Sequence, residues 1–394
     1  MGWHTSRMAA LIAFLSLAAP ASIRAQADGP PSAAAPAEVL MTVSGGVSMG
    51  SYQGGLTWAL VAPMRRSPDL RLRGVGGASA GNINSLLSVL EYCRDGDTQP
   101  RESLFWKLWI QTGIDDLMPP FDAAGVRARR DAVRAQLRAH AGDGPDPDRV
   151  WDDASDGIFS RDFFHARHLE LLTGVLEGET WGRCAGRSIP VGITLTSLSP
   201  RRIPLDVEDR LWATSIRVAS GYVVEFDDGV RFGQLPREMR EARGIGALVA
   251  LPSDTAGTVS TIDVFKLTEA SSAFPIAFAP RALRYYDPAT LVGEAGACPQ
   301  NEPGICNLPE REPFIDGGVF DNNPVDLIWS LTHPEPGPGD ARARLIYIDP
   351  DSYRQPLAGT AAVGRDTAAT GGINAFFQLA ESAGPAARPY QRPK

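Results

Sequence analysis

The alternation of apolar and polar positions along this chain is clearest between Leu70 and Leu90. Leu70-Arg71-Leu72-Arg73-Gly74-Val75 alternates with a period of two, as a strand does. Ile83, Leu86, Leu87 and Leu90 then recur at i, i+3, i+4 and i+7, as on one face of a buried helix. Between them stands Gly76-Gly77-Ala78-Ser79-Ala80-Gly81, so the stretch predicts strand, tight glycine turn and helix. Elsewhere Val39–Val43 predicts a first core strand, and a helix bearing Leu56, Ala59 and Leu60 follows and stops near Pro63. Leu104–Ile110 predicts a strongly apolar helix. Val126–Arg138 predicts an amphipathic helix whose five arginines form a solvated face or touch anionic headgroups. Ser188–Leu198 returns to strand character, and Tyr222–Phe232 predicts a hairpin turning at Asp228-Gly229. A short helix over Leu267–Ala273 is broken by Pro275. A β run from Glu312 ends at Asp316, a helix over Pro324–Leu331 carries proline in its first turn, and Leu345–Ile348 predicts a last strand. Strands alternating with helices in this way predict an α/β fold with a mainly parallel central sheet.

Chain organisation follows from composition. The 394 residues allow one large domain or two smaller ones. Arg7 precedes an apolar run, Met8–Ala19, too short to span a bilayer, and Ala25-Gln26-Ala27 offers an A-x-A cleavage site. Residues 1–27 therefore predict a signal peptide and an exported protein, periplasmic, outer-membrane-associated or secreted; the alternative is a retained anchor. Residues 28–38 read as a disordered leader, residues 39–350 as the folded domain, and 95–190 within it as a polar insert capping the elbow. Residues 351–394 form a Gly-, Ala- and Pro-rich tail, disordered or the start of a further element. Removing Arg7 and Arg24 leaves 36 basic against 46 acidic side chains, a net charge of −10. That balance argues against nucleic acid as a partner. All four cysteines lie beyond residue 27, and export permits disulfides. Cys298 and Cys306 bracket a turn-rich loop and predict a local bridge. Cys93–Cys184 is a second candidate that nothing local brings together. No histidine stands at ligand spacing from Cys298 or Cys306, which argues against zinc.

The candidate chemistry begins at Gly77-Ala78-Ser79-Ala80-Gly81, which matches G-x-S-x-G, the nucleophile elbow. Such a turn brings backbone segments too close for a Cβ at Gly77 and Gly81. It projects the Ser79 hydroxyl and aims the first helix amides, beginning with Ala80, at the same point. The earlier loop, Ser44-Gly45-Gly46-Val47-Ser48-Met49-Gly50, lacks the lysine of a P-loop and has Val47 where a dinucleotide fingerprint has glycine. What remains is a run of amides from Gly45, Gly46 and Val47 between strand and helix, suited to an oxyanion hole. Asp316-Gly317-Gly318 places an acid at a strand end beside a glycine turn, where open α/β sheets place their chemistry.

In this order the three pieces resemble the patatin-like phospholipase family. Ser44-Gly45-Gly46 with Gly50 and Tyr52-Gln53 is similar to its oxyanion loop, Gly77–Gly81 to its nucleophile motif, and Asp316-Gly317-Gly318 to its D-G-[AG] motif. Ala270–Pro275, with Phe278 and Pro280, resembles a further family segment. The likeness covers roughly residues 39–350. It implies a three-layer α/β/α fold and a serine–aspartate dyad acting on lipid acyl esters, as a membrane surface presents them, with neither calcium nor any other cofactor. Ser79 would be the nucleophile and Asp316 the base. An ordinary carboxylate is a weak base for a serine hydroxyl, so Asp316 requires a desolvated site. The chain departs from the family loop at Val47, where glycine is usual, and at Met49, where a cation is usual.

Two other readings stand beside this one. A conventional triad would use His333, since the order Ser79, Asp316, His333 is that of α/β-hydrolases; against it, Thr332-His333-Pro334-Glu335-Pro336 reads as a surface linker. A non-catalytic lipid- or protein-binding member of the fold is the other, and Val47 and Met49 feed it. Oligomeric state has no signal in the sequence.

Overall fold

A computed structural model describes residues 35–46, 50–111, 172–204, 212–240, 247–254, 256–286, 310–333 and 343–349, with isolated helical positions between 117 and 135 and Phe159. Its centre is four parallel strands in the order β10 (Arg344–Ile348), β1 (Ala37–Val43), β2 (Leu70–Gly77) and β3 (Arg187–Pro204). The sheet continues from β3 in antiparallel fashion through β4 (Trp212–Phe226) and β5 (Val230–Gly233) to β7 (Thr258–Val259), while β6 (Ala247–Ala250) pairs in parallel with β4. A side branch pairs β3 antiparallel with β9 (Glu310–Asp316), and β9 with β8 (Arg281–Tyr285).

Helices cover both faces, making three layers. On one side lie α1 (Gly50–Arg66), α2 (Ala80–Cys93), α3 (Leu104–Trp109) and α4 (Thr261–Ser271). Their apolar side chains join Val39, Met41, Val75, Val191 and Ile193 of the strands in the main core. On the other side α5 (Val325–Thr332) packs Leu327, Ile328 and Leu331 over the sheet. The strands are built for that approach. A side chain at Gly74 or Gly76 would strike Ile328, and one at Gly192 would strike Leu327 and Leu331. Glycine on this face lets α5 sit directly on the backbone of β2 and β3.

Several boundaries differ from those the pattern predicts, each for a local reason. Helix α1 runs through Pro63 to Arg66, because Arg65 is buried and bonded to Glu91, Thr98 and the carbonyls of Arg94 and Gly96. Its buried stripe is Gln53, Thr57, Val61 and Met64, while Leu56 and Leu60 face solvent. Helix α4 begins earlier than predicted, at Thr261, where the Ser260 hydroxyl caps the Asp263 amide at 3.0 Å.

Of the 95–190 segment, α3 and residues 172–184 belong to the main core through Leu104, Leu108, Leu172, Val175 and Cys184. Cys93 and Cys184 form a disulfide, the pairing that had no local cause in the sequence. The predicted bridge between Cys298 and Cys306 falls outside the described residues. So do the predicted signal peptide, most of the leader, most of Val126–Arg138, and the tail.

Candidate active site

Strand β2 ends at Gly77, and α2 starts at Ala80. Ser79 makes the whole reversal, with φ 53° and ψ −132°, a strained backbone for a residue with a side chain. Close packing imposes it. A Cβ at Gly77 would run into the backbone of Asn82 and Gly81, and one at Gly81 into the carbonyls of Val43 and Ser44. Neighbours satisfy the strained peptide on both sides. The Ser79 amide donates to the Ser271 hydroxyl (3.2 Å), and its carbonyl accepts from Asn82 Nδ2 (2.8 Å) and Ser272 Oγ (3.2 Å). The segment Ala270–Pro275 thus serves the elbow by bracing it from α4, a role its sequence does not declare.

A serine at a helix start ordinarily caps the first amides. Ser79 does not, because its hydroxyl donates to Asp316 Oδ2 at 2.5 Å. Asp316 comes from a direction that the open-sheet argument does not predict. Its strand, β9, is antiparallel to β3, and Asp316 lies level with Leu195, just past Ile193, which is level with Gly77. The carboxylate therefore approaches the elbow head-on instead of alongside it. A side chain at Gly317 would collide with the Thr194 carbonyl, so glycine is required for β9 to end there. Asp316 Oδ1 accepts from the Gly318 amide at 2.7 Å, and its own amide donates to the Ala273 carbonyl. Burial is nearly complete, at 1% exposure. Burial lifts its pKa to about 7, against the opposing pull of the Ser79 hydroxyl and the Gly318 amide.

The glycine loop is held more tightly than expected. Gly45 N–H donates to Asn322 Oδ1 at 2.6 Å, and Asn322 Nδ2 donates back to the Gly45 carbonyl at 3.2 Å. The Gly45 amide is thereby engaged, which removes it from the predicted set of oxyanion donors. Gly46 has no hydrogen-bond partner among the described residues, and Ala80, first in its helix, has no carbonyl within α2 to bond. Val47 and Met49 lie outside the described residues. A side chain at Gly45 would strike Asn322 and Ser79, and one at Gly318 would strike Asn322 Oδ1, so Asn322 roofs the site. Gln53 donates to the Ser44 carbonyl at 2.7 Å, and Gly50 packs under the Trp109 ring, which fixes the other end of the loop.

His333 stands apart. It follows the last turn of α5, at the end that packs on Gly74, while the start of α5 packs on Gly76. Its ring stacks on Trp329 with centroids 4.1 Å apart. Neither Asp316 oxygen bonds it.

A family model described as Patatin-like phospholipase matches residues 41–329. The chain belongs to the patatin-like phospholipase family. The match ends before His333. Among solved structures, this patatin-like chain is similar to one described as the crystal structure of VipD from Legionella pneumophila. The identity is 13%, over 79% of this chain and 50% of that one, with a TM-score of 0.29. The alignment thus spans half the length of that chain. No curated protein matches. In the patatin-like domain, then, the three sequence motifs converge on one point, and Asn322, Ser271, Ser272 and Asn82 join them.

Proposed function

We propose that this protein is an exported acyl-ester hydrolase that uses a Ser79–Asp316 dyad on lipid esters. The observation that carries the reading is the Ser79 hydroxyl on the buried Asp316 carboxylate at 2.5 Å, at a strained strand-to-helix turn. In this mechanism Asp316 takes the Ser79 proton as Oγ bonds to the ester carbonyl carbon. Charge forms on the carbonyl oxygen, which the Ala80 and Gly46 amides serve. As the tetrahedral species collapses, the C–O bond to the leaving alcohol breaks, and Asp316 returns the proton to that oxygen. Water then attacks the acyl-serine, gives its proton to Asp316, and Ser79 recovers it as the acid leaves. A carboxyl raised to about 7 suits this exchange, because a base near the operating pH both accepts and returns protons. Export is supported by the Met8–Ala19 run with Ala25-Gln26-Ala27, and by a disulfide, which persists in oxidising compartments.

The test is hydrolysis of p-nitrophenyl esters and labelling by a fluorophosphonate. Ser79→Ala should abolish both. Asp316→Asn should lower kcat/KM by about 10²–10⁴-fold. His333→Ala should match the parent. Since the base must be ionised, kcat/KM should rise with pH and reach half its plateau near pH 7. An unlabelled parent would favour the binding-protein reading, and a silent Asp316→Asn would remove the dyad. Export is checked by the amino terminus of the cell-envelope fraction, expected at Asp28.

A further inference from the structure

Asp316 draws bonds from three segments besides the elbow. The Gly318 amide donates to its Oδ1 at 2.7 Å, the Thr196 hydroxyl donates to its carbonyl at 2.9 Å, and its own amide donates to the Ala273 carbonyl at 3.0 Å. Two or three residues beyond each of these bonds stands an exposed apolar side chain: Phe320, Leu198 and Ile276. That spacing keeps all three within about 10 Å of chain from the bonds to Asp316. No charged residue occurs in 195–200, 271–280 or 317–320. Asp321, which follows Phe320, pairs with Arg217 at 2.8 Å.

Ile276 is held outward at a cost. Its φ is 73°, and among the described residues Ser79 is the only other non-glycine residue with a positive φ. Branching at Cβ makes that conformation unfavourable, whereas glycine adopts it freely and asparagine more readily. The turn is firmly anchored. The Phe278 amide donates to the Phe274 carbonyl at 3.0 Å, which puts Ile276 at the apex, and Phe274 and Ala277 on either side are buried. Backbone strain persists where the surroundings enforce it, and it collects at functional positions. Here its outcome is an isoleucine turned towards water beside the dyad, where asparagine would suit both the backbone and the solvent better.

We infer that Ile276, Phe320 and Leu198 form an apolar rim that inserts into a neutral lipid surface. The inference rests on the hydrolase reading and names the surface from which that site takes its ester. A protein or a second copy seated on this rim would cover the dyad, whereas a lipid surface brings the ester to it. Uncharged rim segments suit a zwitterionic surface, and the net charge of −8 disfavours an anionic one.

The probe is vesicles of phosphatidylcholine, sedimented with the full-length Ser79→Ala protein so that no ester is consumed. Ile276→Gly keeps the turn, because glycine takes φ 73° without strain. It should lower vesicle partitioning by about tenfold, and Phe320→Ser should do the same. Partitioning should change little with salt, since apolar insertion is not screened. With Ser79 intact, each substitution should cut by about tenfold the ratio of activity on an ester held in vesicles to activity on dissolved p-nitrophenyl butyrate. Vesicle binding that neither folded variant weakens would overturn the rim. So would binding that needs anionic lipid and vanishes in salt, or no binding by the protein with its rim unaltered. Ester hydrolysis that persists in any of those cases leaves the hydrolase reading standing without the rim. Vesicle binding weakened by both substitutions, in a protein that cleaves no ester, would keep the rim and end the hydrolase reading.

Discussion

Asn322 does with a side-chain amide what a neighbouring strand does with its backbone, donating to and accepting from one residue, Gly45. That pair ties the glycine loop to the Asp316 turn. Asn322→Ala leaves both Gly45 groups unpaired and should lower kcat on the order of tenfold with little change in KM. Asn322→Asp is the sharper test. Its oxygen and that of Asp316 both lie within about 3.0 Å of the point where a Gly318 side chain would sit. A second carboxylate there disfavours ionisation of Asp316, so the pH–rate profile should move to higher pH. A merely structural role would leave that midpoint in place. Asp316 also makes a prediction about stability. Its folded pKa, about 7, lies above that of an ordinary carboxylate, so between those values the folded protein holds a proton that the unfolded chain has lost. Stability from this group is present at low pH and lost as pH rises through 7. Asp316→Asn removes the loss, and its melting temperature should gain on the parent from pH 5 to pH 7 and level off by pH 8, as paired thermal melts would show. The meeting of Ser79 and Asp316 was legible because each sits in a glycine-flanked motif, where close backbone approach leaves room for no other residue. Asn322 was not, since its partner is 277 residues away and an asparagine before Asn323-Pro324 reads as an ordinary turn residue.

Strands and helices with a strong period were legible to within a few residues, and the exceptions share a cause. Pro63 should end α1, but tertiary bonds to buried Arg65 outweigh the lost backbone bond. The start of α4 did carry a signal, Ser260-Thr261-Ile262-Asp263, a capping pattern ahead of an apolar run. The direction of β9 carried none, because an isolated strand reads the same in parallel or antiparallel pairing. Elements remote in sequence also meet at the end of α2. Cys93 bonds Cys184, the Asp95 carboxylate accepts from the amides of Gly182 and Arg183, and Arg94 pairs with Glu179 at 3.0 Å. The Gly182 amide is the main reason the Asp95 carboxyl titrates below its usual range. Both cysteines are fully buried, so reductant should act only after local opening. Cys93→Ala with Cys184→Ala should cost about 2–5 kcal/mol of stability, read from denaturant melts of the oxidised parent and the double variant. A difference near zero would show that the surrounding hydrogen bonds hold this junction alone.

For the whole molecule, the order of motifs carried more than any single one: the loop at 44–50, the elbow at 79 and the acid at 316 lie far apart along the chain and meet only because β1, β2 and β9 end at one place. The class of fold follows from that order, while the antiparallel flank beyond β3 follows from pairings that periodicity does not encode. The bridge at the end of α2 has a consequence of another kind. Its two cysteines are separated by 91 positions, and they stay joined whether the protein is folded or not. Closing a longer loop ordinarily costs entropy on folding, though slowly with length. Here the closure is already present in the unfolded chain, so residues gained or lost between Cys93 and Cys184 leave that cost unchanged. That freedom belongs to the stretch between α3 and Leu172, because Leu104, Leu108, Leu172 and Val175 are part of the main core and Trp109 packs on Gly50 of the glycine loop.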